Sequence, residues 1–296
     1  MIAIRHLIKK SSKYNLNPHF LRRTLLVLVT CLVVKFCVSQ QGIVVNTGGF
    51  SSGIAGISAV TSGANALFTN FSATAGAQSS LFHLSTARRF NLSELSSYSA
   101  GAAVPLSQNG VIGFELSTYG FELFQDRFVA VKYAHRLSEN FAISGSLGFD
   151  ILDLGDFGQK STLSYQIGIS GIIVDGLRFG FTTSNIDGPD IEAETRLVSD
   201  IRVGFAYEVS DKVELLAELD KPLADELNVK VGIDYKLHQK LSIRSGYNTS
   251  PGQTSFGFSY WILDNLKTEL AALYDPVLGI TPVLSIVRET SQKPKS

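Results

Sequence analysis

The chain has 296 residues, with 26 Lys and Arg against 26 Asp and Glu, 45% hydrophobic residues, 26 Gly and two Cys. A formal net charge of zero excludes a nucleic-acid binder driven by bulk charge, and an acidic, disordered solvating chain as well. Two cysteines exclude a disulfide-dense scaffold and a Cys-ligated zinc fold.

Residues 1–39 read as a secretory signal peptide. Arg5, Lys9, Lys10, Lys13, Arg22 and Arg23 precede the apolar run from Leu25 to Val34, and the small residues Cys37 and Ser39 follow. A run of about ten residues is short of the ~20 that a membrane-spanning helix needs. Cleavage is expected after Ser39; the competing readings are an uncleaved anchor and, more weakly, a lipoprotein acylated on Cys37. The leader holds seven of the basic residues and no acidic one, so 19 basic and 26 acidic residues remain, a net charge of −7. Both cysteines, Cys31 and Cys37, leave with it.

Residues 40–78 form a Gly/Ala-rich stretch in which Gly53, Gly56 and Gly63 alternate with Ala55, Ala59, Ala64 and Ala66. It is expected to pack closely inside a barrel as a plug-like segment, the alternative being an unstructured linker. Within it, Gly49-Phe50-Ser51-Ser52-Gly53 matches G-x-S-x-G, yet lacks the strand before and the helix after that make a nucleophile elbow. No enzyme activity is expected, and no catalytic residue is assigned.

From residue 79 to 288 the apolar period is two, the signal of a strand with one buried and one differently solvated face. In 227–237, Leu227, Val229, Val231, Ile233, Tyr235 and Leu237 share one face against Asn228, Lys230, Gly232, Asp234 and Lys236. Fourteen strands follow, near 79–86, 96–105, 110–117, 127–136, 141–152, 161–173, 176–185, 197–208, 212–220, 226–236, 241–248, 253–262, 266–274 and 278–287. Short connections at 107–110, 138–140, 174–176, 210–211, 238–240 and 264–265 alternate with longer ones such as 118–126, 153–160 and 186–196. The fold class is therefore all-β: a transmembrane antiparallel up-and-down β-barrel of about 14 strands, closed because no edge can stay unpaired in hydrocarbon. A soluble sandwich would also alternate, but the leader, the consecutive hairpins and the alternating loop lengths favour the barrel. Tyr133, Tyr207, Tyr235, Tyr247, Tyr260 and Tyr274 fall near strand ends, where amphipathic rings suit a membrane interface.

The polar face is expected to line the lumen with Glu115, Lys132, Asp150, Arg178, Arg202, Glu214, Glu218, Lys230, Asp234 and Arg244; Glu208, Lys236, Lys267 and Glu269 share that face. Mixed signs favour a ladder of cross-strand ion pairs over a selectivity ring. His83, His135 and His238 share no spacing that would converge on a metal, and no metal or cofactor is expected. Asp187, Asp190, Glu192 and Glu194 read as a solvated acidic loop. Pro282 is expected to interrupt the last strand, and residues 289–296 to form a disordered tail.

The stretch Gly53–Asn70 resembles the Gly/Ala-rich opening of the PorV/PorQ-like and FadL-like outer-membrane proteins, with a "GxAxVA…ALFxNPA" pattern that Asn70 matches and Phe71 breaks. Leu241–Thr249 is similar to that family's "LxLRxGYNT" strand and loop, and Tyr274–Gly279 to its lead into the last strand. The resemblance implies a fourteen-stranded barrel in the outer membrane of a Gram-negative bacterium, with its N-terminal segment against the lumen. It also implies a non-enzymatic role in protein secretion or surface assembly, with secretion-system proteins or exported cargo as partners. The alternative it carries is a FadL-like channel for uptake of small hydrophobic molecules. Outer-membrane lipid is a partner on either reading, and nucleic acid on neither.

Overall fold

The computed structural model describes residues 48–186 and 199–289. The leader, positions 40–47, the acidic loop from Asp187 to Glu194 and the tail beyond 289 lie outside the described residues. Fourteen strands are present: β1 Leu81–Arg88, β2 Ser96–Pro105, β3 Gly110–Phe121, β4 Phe124–Ser138, β5 Phe141–Asp153, β6 Gln159–Val174 and β7 Leu177–Ser184, then β8 Asp200–Ser210, β9 Val213–Pro222, β10 Asn228–His238, β11 Leu241–Asn248, β12 Thr254–Leu263, β13 Leu266–Asp275 and β14 Gly279–Arg288. Each pairs antiparallel with its neighbours in sequence, and β1 closes on β14 from Phe82↔Arg288 to Ala87↔Val283.

The two faces of this sheet invert the soluble rule. On β10, Val231, Ile233 and Tyr235 are 49%, 40% and 37% exposed, whereas Lys230 and Asp234 on the opposite face are each 6% exposed. Apolar side chains outside and charges inside suit a wall with hydrocarbon around it and a polar interior. Outward tyrosines form two girdles. Tyr133, Tyr207, Tyr235 and Tyr260 mark the end with the short turns; Tyr98, Tyr247 and Tyr274 mark the other. From Tyr235 to Leu227 is eight residues, roughly 26 Å along the strand at about 3.3 Å per residue, before any allowance for tilt. That matches the apolar band of about 25 Å typical of such barrels. A Val231→Arg change, in the middle of this band, is expected to destabilise the folded form by about 2–4 kcal/mol. Unfolding in lipid vesicles, followed by tryptophan fluorescence or gel migration, reads it.

Two expectations about local structure are corrected. Positions 118–126 are not a long loop: β3 and β4 continue through them to a turn at Glu122 and Leu123, with Gly120 at φ 104. The polar and glycine-containing stretch imitates a loop because these hairpins rise past the apolar band. β3 to β6 have 12, 15, 13 and 16 residues against 8 in β7, so their ends no longer need an apolar face. Nor does Pro282 interrupt β14, which runs through it opposite Ala272. The ladder to β1 begins only at Val283, so proline's missing donor leaves no gap in that ladder.

Residues 48–77 occupy the interior. Helix α1 (Gly48–Gly53) is followed by 3₁₀ turns at Gly63–Phe68 and Phe71–Thr74. Asn70 caps the second of these, its side chain accepting from the Ser72 N–H. Wall glycines make room for the segment. A Cβ at Gly180 of β7 would lie 1.8 Å from the Ala59 carbonyl oxygen, one at Gly113 of β3 2.4 Å from the Phe71 ring, and one at Gly246 of β11 2.5 Å from the Ile54 backbone. Two apolar clusters complete the packing: Leu67, Phe68 and Phe71 against Val111 and Val287, and Ile54, Ile57 and Val60 against Leu216.

Candidate functional site

The inner segment carries no charged side chain between Gly48 and Ala77, so it offers the charged wall only main-chain and small polar groups. The wall supplies partners for them. On β9, the Glu218 carboxylate accepts from the N–H groups of Ser58 and Ala59 at 2.7 Å each, and from Lys230 Nζ of β10 at 2.9 Å. Lys230 also reaches Asp220 at 2.8 Å and donates to the Gly56 carbonyl at 3.1 Å. Arg202 of β8 pairs with Asp200 and, at 3.4 Å, with Asp220, and its Nη1 donates to Ser58 Oγ. Five ionised side chains on three strands thus converge on residues 56–59.

The same arrangement recurs around the ring. Lys132 of β4 pairs with Glu115 of β3 and donates to the Leu67 carbonyl at 2.7 Å. Arg178 of β7 pairs with Glu214 of β9 and donates to the Val60 carbonyl. Arg244 of β11 pairs with Asp234 of β10 at 2.9 Å and lies over the Phe50 ring, 4.3 Å from its centroid. Glu269 of β13 accepts from the Phe50 N–H at 2.9 Å and from Asn65 Nδ2 at 3.2 Å, with Lys267 beside it at 3.2 Å. Lys132–Glu115, Arg244–Asp234 and Lys267–Glu269 are largely buried and Arg178–Glu214 is partly so, and each is supported by hydrogen bonds to the segment or to its neighbours, as ions held away from water require.

Of the ten residues assigned to the lumen from sequence, nine pair with one another or with the inner segment. Asp150, on the inner face of β5, is half buried and makes no ion pair among the described residues. Glu208 and Lys236 are exposed near the short turns. Two further residues join the interior. His83 is fully buried: its Nδ1 faces the Ala64 carbonyl at 3.1 Å and its ring lies 4.5 Å from that of Phe68. Glu289, assigned to the tail, accepts from the Ala64 N–H at 2.6 Å and pairs with Lys267 at 2.6 Å. Sequence alone gave no signal for it beyond its position one residue after β14. Asn70 did carry one, as the residue matching the family motif; its Nδ2 donates to the carbonyls of Ala59 and Ile169, tying the segment to itself and to β6.

Ser51, the serine of the G-x-S-x-G match, donates from Oγ to the Ile57 carbonyl at 2.5 Å within the buried segment. No cluster of three metal-ligating side chains occurs among the described residues. What this interior offers chemically is a neutral, small-residue ribbon held by charges that are already paired.

No family model and no curated protein matches the chain. Solved structures do. The toluene transporter TodX of Pseudomonas putida aligns over 84% of this chain and 100% of its own, at 12% identity and a TM-score of 0.60. The Ralstonia pickettii toluene transporter TbuX aligns over 84% and 98%, at 12% identity and 0.59. A Pseudomonas aeruginosa FadL homologue aligns over 84% and 100%, at 10% identity and 0.62. At such identities the likeness establishes a shared fold: the chain is a closed fourteen-stranded barrel built like those of hydrocarbon channels.

Proposed function

We propose that the chain is an outer-membrane channel of the FadL-like kind, taking up small hydrophobic molecules in a Gram-negative bacterium, with residues 1–39 as its export signal. One observation carries the reading: its barrel aligns over nearly the full length of two toluene transporters. The interior agrees with it. Wall charges engaged by one another and by main-chain groups leave no ring of one sign to select an ion, while the ribbon they hold is neutral and largely apolar. The role in secretion or surface assembly, which the sequence resemblance placed first, finds no counterpart among these structural neighbours. The channel reading therefore takes precedence.

Deletion of the gene and complementation with the full chain decide between them. Uptake of radiolabelled toluene or a medium-chain fatty acid by the deletion strain is expected to fall severalfold and to return on complementation. Unchanged uptake accompanied by loss of a protein from the medium would establish the secretion role instead.

A further inference from the structure

The outer face carries a feature that transport through the interior does not use. Across the closure seam, an apolar groove of about 560 Å³ runs over β14, β1, β2, β3 and β4. Its floor is Ala100 of β2, flanked in register by Leu84 of β1 and Leu116 of β3, each 55% exposed. The neighbouring outward row runs Thr86, Tyr98, Thr118 and Arg127, so the groove ends at an aromatic ring and a guanidinium on the side of the longer connections. One outward position beyond Thr86 stands Arg88, exposed.

We propose that this groove is a binding site for a phosphate-bearing lipid, whose hydrocarbon chain lies on Ala100 between Leu84 and Leu116 and whose phosphate, at the level of Tyr98, lies between the guanidiniums of Arg88 on one side and Arg127 on the other. Width argues for a chain. β1 and β3 stand two strand spacings apart, roughly 9–10 Å, and their leucines narrow that gap. A helix, about 10–12 Å across with its side chains, does not enter. Depth comes from the single methyl of Ala100 between two leucines. Charge argues for the headgroup. Arg127 keeps 48% of its side chain exposed while Gln125 and, at 3.5 Å, Asp153 hold it in place; Glu94 lies near Arg88 but leaves it exposed. Guanidinium groups match phosphate oxygens bidentately. The girdle residue Tyr98 sits beside them, at the level where lipid headgroups begin. The ligand would bridge β1, β2 and β3, beside the seam where β1 closes on β14.

The inference rests on the outward face being in lipid, and the two fail separately. A chain absent from the membrane fraction defeats that reading; a membrane barrel without the bound lipid defeats only this one. The full chain, purified in a non-ionic detergent, is incubated with phosphatidic acid or with diacylglycerol of identical chains, and native mass spectrometry counts retained lipid. Wild type is expected to retain one phosphatidic acid with about tenfold preference, the size of one charge-assisted hydrogen bond. Ala100→Trp is expected to abolish retention of both lipids. Arg88→Gln with Arg127→Gln should keep the chain bound and bring the preference close to one. Should A100W lose its heat-modifiable band, Thr86→Leu takes its place. Equal retention of the two lipids by wild type would overturn the proposal, as would undiminished phosphatidic acid on the groove-filling variant. A dimer mass that disappears in that variant would also overturn it, by making the groove an interface between copies.

Discussion

Replacing Glu218 with Ala is expected to cost about 3–5 kcal/mol, the range for breaking a buried ion pair and leaving its partner uncompensated. The loss exceeds that of an ordinary pair because one carboxylate serves four donors: the Ser58 and Ala59 N–H groups at 2.7 Å, Lys230 at 2.9 Å and the Ser58 hydroxyl at 3.3 Å. Two buried main-chain donors then lose their acceptor, and each carries its own desolvation cost. Glu218→Gln keeps one acceptor oxygen and should cost roughly half as much, as hydrogen bonds to neutral groups are weaker than to ionised ones. Thermal or urea unfolding of the detergent-solubilised barrel measures both. A change below about 1 kcal/mol for E218A would mean that the inner segment does not depend on this anchor.

The second large effect is steric. Gly180→Val places a Cβ 1.8 Å from the Ala59 carbonyl oxygen and 3.1 Å from Asn70 Nδ2, so the segment must withdraw at that point. Overpacking alone costs about 1–3 kcal/mol. Here it also severs the Asn70 to Ala59 hydrogen bond of 2.7 Å. Beyond residue 39 the chain has no cysteine, so Ser58→Cys reports the displacement. The thiol is expected to resist maleimide in the otherwise wild-type barrel and to react in the Gly180→Val background. Gly145, where an added Cβ meets nothing within 4 Å, is the control: Gly145→Val should leave labelling and stability unchanged. Because Gly180 and Glu218 act on the same residues, the two costs should add to less than their sum. Strict additivity would place the two substitutions on independent parts of the wall.

The wall was legible from sequence because its physics is local. Val229, Val231, Ile233 and Tyr235 announce an outward face within a single strand, and an alternation of period two needs no distant partner to be read. Even Pro282 and the stretch 118–126 misled only through local signals, a missing donor and a polar run, whose meaning depends on which neighbour pairs there. The interior was legible as a list of charges but not as an arrangement. A backbone N–H has no sequence signature, and Glu218 meets Ser58 across 160 residues. Read alone, the mixed signs on β8 to β10 indicated ion pairs; that these pairs also grip a neutral ribbon required the fold. His83 and Glu289 were missed for the same reason, since both are engaged by Ala64, 19 and 225 residues away.

The partners of the inner segment have a temporal consequence. Gly49 donates to Ser285 Oγ at 2.8 Å, and the Ala64 N–H is taken by Glu289 at 2.6 Å, so two of its anchors lie on the last strand, β14, or one residue past it. During synthesis the ribbon is made first, yet those anchors do not exist until β14 has been added. Contacts of such sequence separation form late and slowly, since the whole intervening loop must close before they reward it. Closure of the seam and seating of the ribbon are thus one event, and residues 48–77, translated before every strand, are among the last to find their place.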